Sequence, residues 1–266
     1  MNILKRELKV NLKPFLFWSL GLFVLIFAGM AKFTGLREGG EAVAQMLAAF
    51  PRAVQAMFGM VGVDMTTLPG YYAVIMYYVM ICMAVYGVSL GSAAVARETA
   101  DKTYEFLFTK PVSRARILAI KLSAGLCCLA GFALLSAGIS YLSIGAFHLG
   151  KGISGKIALF ATAAFLVGLF FYFLAAMLAA LQQRAEKGAL MGNLIFTAVF
   201  LLGMVYDLLE DAEELRWFIP LRYFTMPELL ENHLQPVYTC LTIGLAALFA
   251  AIAFYGFMKK DLQAKS

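Results

Sequence analysis

Long runs without a charged residue alternate along this chain with short polar segments, and that alternation is its strongest structural signal. Six runs, 15–31, 71–96, 122–147, 157–181, 188–206 and 237–258, contain no Asp, Glu, Lys, Arg or His. A helix needs about 20 apolar residues to cross a bilayer, and each run meets or approaches that length. Barrel strands would alternate polar and apolar positions over about 10 residues, which these runs do not. The pattern predicts an all-α integral membrane protein of six transmembrane helices, forming one membrane domain over 1–266.

The connecting segments carry their own patterns. Leu4, Leu8 and Leu12 recur every fourth residue beside Lys5, Lys9 and Lys13. This predicts an N-terminal interfacial helix over 1–13 with its lysines toward anionic headgroups; a basic tail that only sets topology is the alternative. The first apolar run, at 17 residues, exceeds the ~7–15 of a secretory signal, so it is expected to persist as a span. Segment 42–63 is apolar but contains Gln45, Pro51, Arg52 and Gln55. An arginine near the bilayer centre costs about 2.5 kcal/mol or more. Surface helices broken at Pro51, lying on or dipping into the interface, are expected there. Trp217, Phe218, Tyr223 and Phe224 among Pro220, Pro227 and Pro236 suit seating at an interface between the last two spans.

Segment 97–121, between the second and third runs, carries six basic residues: Arg97, Lys102, Lys110, Arg114, Arg116 and Lys121. Tyr104, Leu107 and Phe108 form an i, i+3, i+4 apolar stripe, Pro111 cannot continue that helix, and Ser113 is a suitable N-cap for the third span. A short helix, a proline turn and a helix entry at one membrane face suit a docking surface for a partner; an ordinary cytoplasmic loop whose basic residues only fix topology is the alternative.

Composition sharpens this picture. The chain has 266 residues, 62% hydrophobic and 14% charged, with a net charge of +6. With the N-terminus inside, fifteen basic residues fall on the cytoplasmic side. They are Lys5, Arg6, Lys9, Lys13, the six of the central segment, Arg184, Lys187, Lys259, Lys260 and Lys265. Seven fall outside: Lys32, Arg37, Arg52, Lys151, Lys156, Arg216 and Arg222. Basic residues of short loops stay cytoplasmic, so both termini are expected inside a cell membrane crossed several times. The acidic cluster Asp207, Glu210, Asp211, Glu213 and Glu214 then lies outside. Membrane topology explains the basic charge without a nucleic-acid partner. All four cysteines, Cys82, Cys127, Cys128 and Cys240, fall within spans, which suits packed or lipid-facing thiols, not a disulfide framework or a metal site.

Several catalytic motifs match by letter and fail in context. Gly87-Val-Ser89-Leu-Gly91 fits the nucleophile-elbow spacing, but no strand precedes it. Its G-x-x-x-G spacing lets helices approach closely, which makes Gly87 and Gly91 candidates for helix packing. Gly145 to Gly152 nearly forms a phosphate-binding loop but lacks the final hydroxyl. Gly152-Ile-Ser154-Gly155 resembles the serine motif of intramembrane proteases, which need a histidine base; the two histidines, His148 and His233, fall in outer loops. Gradient-driven carriers usually bury ionisable groups along their path, and these runs hold none. An intramembrane protease built on Ser154 and an ATPase-independent secondary transporter or channel remain the alternatives. Uncharged, aromatic and methionine-rich spans suit an apolar or lipid-like cargo, and equally suit packing against lipid.

The order of motifs resembles a known family. Arg97-Glu98, then Lys102-Thr103-Tyr104-Glu105-Phe106-Leu107, then Lys110-Pro111-Val112-Ser113-Arg114, then Ile117 and Lys121, is similar to the inner loop of ABC exporter permeases of the second type. Phe50-Pro51 with Phe58-Gly59 and Thr67 resembles that family's outer loop. Phe218-Ile-Pro220-Leu-Arg222-Tyr-Phe224, with Lys259-Lys260-Asp261-Leu262, resembles its C-terminal third. The chain departs from the family in lacking Gly before Thr103 and in having Phe108 where a second Leu or Ser is common. The resemblance implies a six-span permease half without catalytic residues or a cofactor of its own. It implies pairing with a second permease half, identical or different, and with cytoplasmic ATPase subunits that bind ATP and magnesium. It also implies that Arg97, Glu98, Thr103, Tyr104, Glu105, Leu107, Phe108, Pro111 and Arg114 form the coupling region, on a cytoplasmic coupling helix between spans two and three.

Overall fold

The structure is a computed structural model that describes residues 3–39, 45–46, 49–100, 113–150, 152–182, 187–209 and 212–259; at 37, 38 and 97–100 it describes the backbone alone. Six helices are long and apolar enough to cross a membrane: Ile3–Leu36, Leu68–Ala96, Arg114–Ala146, Ser154–Leu181, Lys187–Leu208 and Pro236–Lys259. They are termed spans one to six. Among the described residues there is no strand. The end that carries Ile3, Ala100, Arg114 and Lys187 is termed basal, and the opposite end distal.

The spans sort into a core and a periphery. In spans two, four and three, 72%, 67% and 56% of the apolar window is buried, against 17%, 17% and 22% in spans one, five and six. Spans two and four share the most extensive interface, and span six packs chiefly on span four. Large side chains that are fully enclosed, among them Tyr72, Tyr86, Phe132, Phe171 and Tyr172, fill the centre. Because lipid is as apolar as these side chains, the spans associate through close packing and hydrogen bonds instead of water exclusion. Tyr72 donates to Ser140 Oγ at 3.0 Å, and Tyr172 donates to the Leu122 carbonyl at 2.8 Å.

Span one differs from the sequence expectation. The segment expected as a separate interfacial helix over 1–13 forms the first turns of one helix, Ile3–Phe23, which runs through Pro14. A π turn, Val24–Ala28, follows, and the helix resumes over Gly29–Glu38. Leu8 and Leu12 point outward, whereas Glu7 and Asn11 are buried. The polar stripe, not the leucine stripe, faces the bundle. Within 42–63 the structure places a seven-residue helix, Arg52–Phe58, directly after Pro51, far too short to cross. Gly59 ends it with φ of 68°, and a Cβ there would come 2.3 Å from the Tyr77 ring, so only glycine suits that turn.

Candidate functional site

The basal end holds the residues singled out for partner coupling. The span-two helix continues as backbone to Ala100, so Arg97 and Glu98 lie in its last turn. Thr103, Tyr104, Glu105, Leu107, Phe108 and Pro111 lie outside the described residues. Ser113 caps span three, its Oγ accepting from the Arg116 amide at 3.4 Å. Arg114 follows at an exposed position in the first turn. Ile117 and Leu118 are fully buried one turn on, so apolar packing pins this helix entry while its cap stays at the surface.

Four residues beyond Ile117, Lys121 Nζ lies 3.7 Å from Glu7 Oε1, with both residues at most 5% exposed. The pair ties the N-terminal turns of span one to the third span just inside the coupling segment. Such a pair adds little net stability, because desolvation offsets attraction, but losing one partner costs about 3–5 kcal/mol. The charge and motif patterns of the sequence mark Lys121 as a basic residue of the cytoplasmic side and as the last residue of the inner-loop motif, but they do not single out Glu7. A signal was present: Glu7 is the one carboxylate among Lys5, Arg6, Lys9 and Lys13, and Asn11 follows it at i+4 on the same face.

Midway along the bundle, Gly87 and Gly91 press span two onto span four. A Cβ on Gly87 would sit 2.5 Å from the Gly168 carbonyl oxygen, and one on Gly91 would sit 2.0 Å from that of Tyr172. Gly168 answers from the other side, where a Cβ would meet Met83 Cγ at 2.6 Å. Backbone therefore lies against backbone, and spans two and four are held as one unit.

At the distal end, the segment between spans five and six folds back onto the bundle. Ile219, Leu221, Tyr223, Phe224 and Leu229 are all at most 2% exposed. Two buried arginines organise it. Arg222 grips Asp207 with Nε–Oδ1 at 2.9 Å and Nη2–Oδ2 at 2.5 Å, and lies 5.1 Å from the Tyr77 ring centre. Arg216 reaches Glu228 Oε2 at 2.5 Å, donates to the Arg222 carbonyl at 2.9 Å, and stacks 4.3 Å over Tyr238. Burial disfavours both guanidinium charges, yet the facing carboxylates and tyrosines raise both above the ordinary arginine value. Burial likewise pushes the Glu228 carboxyl up, but hydrogen bonds from Arg216, Thr225 and Gln235 outweigh it and hold the group below its usual range. Tyr77, Asp207, Arg216, Arg222 and Glu228 line a cavity of about 260 Å³. The sequence placed Asp207 and Glu213 in an outer acidic cluster, without showing that Arg222 neutralises the first.

The other sequence candidate, Ser154, opens span four, and its carbonyl accepts from Tyr141 at 2.8 Å. Neither His148 nor His233 hydrogen-bonds to its side chain. Among the described residues, no group of three His, Cys, Asp or Glu is arranged to hold a metal ion.

Compared with known families, residues 1–262 match the model described as ABC-2 family transporter protein. No curated protein matches the chain.

Proposed function

The chain belongs to the ABC-2 family of transporter proteins, and from that premise we propose that it is the permease subunit of an ATP-driven exporter. In this role a separate cytoplasmic subunit binds ATP and magnesium, and segment 97–121 receives its motion. The basal end is the cytoplasmic one, since it collects most of the basic residues. A second permease half, identical or different, completes the translocation path. The chain itself contributes no catalytic group.

The observation that carries the proposal is the mechanical setting of the coupling segment. Its residues 101–113 join two continuous helices, Leu68–Ala100 and Arg114–Ala146, of 33 residues each. At 1.5 Å per residue each rod is about 50 Å long, well beyond the ~30 Å hydrocarbon core. A partner pressing on their basal ends would therefore move rigid levers that are packed through the centre of the bundle. The buried Glu7–Lys121 pair would carry span one along with the third span.

The test is a pull-down of the tagged chain from its native membranes in mild detergent, with and without Glu105→Lys/Leu107→Asp. An ATP-hydrolysing subunit should accompany the unmodified chain and be lost from the double variant. Equal recovery of that subunit with both would remove the docking role from the 101–112 segment. Recovery with neither would point instead to a stand-alone carrier or to the Ser154 enzyme.

A further inference from the structure

We propose that the distal half of span one holds a specific phospholipid-binding slot, which takes one acyl chain of an anionic phospholipid. The slot is an apolar groove of about 550 Å³ between span one, span two and the short helix Arg52–Phe58. That volume falls within the roughly 300–1,000 Å³ typical of small-molecule sites.

Two helical stripes form its walls. On span one, Val24, Leu25, Ala28, Gly29 and Lys32 follow one another at helical spacing. On span two, Tyr71, Val74, Ile75 and Tyr78 do the same, repeating at i, i+3, i+4 and i+7. The π turn at Val24–Ala28 falls within the first stripe, where the wider backbone turn and the small side chains of Ala28 and Gly29 leave room. The two helices still meet nearby: a Cβ on Gly29 would lie 2.9 Å from Ile75 Cδ1, and Tyr71 donates to the Gly29 carbonyl at 3.1 Å. The gap is therefore framed by fixed contacts. Phe58 and Met60 also line it, and methionine adapts readily to a flexible chain.

Charge selects the occupant. Lys32 is the one charged residue among those lining the groove, and it is exposed. It stands directly after the uncharged run 15–31, at the level where hydrocarbon gives way to headgroups. From Lys32 to Val24 the stripe descends eight residues, about 12 Å, against about 15 Å for one leaflet's half of the core. A cation at headgroup depth above an apolar slot nearly one leaflet deep matches a headgroup of net negative charge, which a zwitterionic phosphatidylcholine lacks, and one acyl chain below it. A second protein chain would leave that lysine without a countercharge unless it brought an acid to the same height.

The test uses the whole chain in nanodiscs of phosphatidylcholine that contain a minor fraction of phosphatidylglycerol with a mid-chain diazirine. After irradiation, label should concentrate on peptides covering 24–32 and 71–78. Lys32→Glu should lower labelling by phosphatidylglycerol at least about five-fold, the worth of one basic residue near an anionic lipid. It should leave labelling by an equally tagged phosphatidylcholine unchanged. Ala28→Phe, which fills the slot from an exposed position, should lower both. Even labelling of all six spans by the unmodified chain overturns the proposal, as does a Lys32→Glu variant that keeps its preference for phosphatidylglycerol. Cross-links from the slot to a second copy of the chain, in place of lipid, overturn it as well.

Discussion

Replacing Gly91 with alanine adds one methyl group where the structure has no space for it. The new Cβ would lie 2.0 Å from the Tyr172 carbonyl oxygen, whereas ordinary contact begins near 3.4 Å. Spans two and four would therefore have to part locally by more than 1 Å. The obstacle is backbone, so no side-chain rotation relieves it. A gap of about 0.5–1 Å already forfeits a quarter to a half of a dispersion contact, and this is the most extensive interface in the bundle. Overpacking typically costs about 1–3 kcal/mol. An unyielding carbonyl places this site at the upper end, partly offset by the ~0.5–1 kcal/mol that alanine gains over glycine in a helix. Gly138 in span three is the matched control, with nothing within 4 Å of its added Cβ; Gly138→Ala should be neutral or slightly stabilising. The two variants should differ by about 3 kcal/mol, or roughly 6–12 °C in melting temperature. Thermal melts of the detergent-purified protein, followed by fluorescence-detected size exclusion, measure this directly. Melting of Gly91→Ala within about 2 °C of Gly138→Ala would refute backbone contact between these spans.

The distal end yields two further expectations. Arg222→Met should destabilise the fold by about 3–5 kcal/mol, because it strands the Asp207 carboxylate, and Arg222→Met/Asp207→Leu should recover most of that loss; melting temperatures of the single and double variants check the non-additivity. The Glu228 carboxyl titrates below its ordinary value of 4.5 in the folded chain. Its contribution to stability is therefore full above that value and is lost as pH falls through the lower folded one. Melting temperature should be insensitive to this group from neutral pH down to about 5 and fall in more acidic buffer, and Glu228→Gln should flatten that acid limb.

The number of spans and their approximate places were legible because the bilayer imposes a length of apolar sequence that local composition either meets or does not. The cap at Ser113 was legible for a similar reason, since a hydroxyl ahead of a helical run satisfies an amide that has no partner within the helix. Residues 1–13 were read differently. Two stripes share that helix: the repeats of Leu4-Leu8-Leu12 and of the lysines beside them, which suit a helix at the interface, and Glu7-Asn11, which the local sequence does not mark for burial. The structure buries Glu7 because Lys121, more than a hundred residues away, supplies its countercharge. Arg222 shows the same limit: its motif was recognised, but its partners Asp207 and Tyr77 come from spans five and two.

The sequence by itself therefore determined the class of the protein, its six crossings, the basic asymmetry between its two faces and the glycine spacing that permits close packing. Each of these is a local property, set by how a short stretch of chain partitions between water, headgroups and hydrocarbon. Only the tertiary structure decided that spans two, three and four form the core and that Gly87 and Gly91 meet span four. The same holds for the pairing of Glu7 with Lys121 and of Asp207 with Arg222, and for the cation and apolar slot brought together at the distal end of span one. Which helix faces which depends on complementarity between distant segments, and inside a membrane every apolar face looks alike until a partner backbone or countercharge distinguishes it.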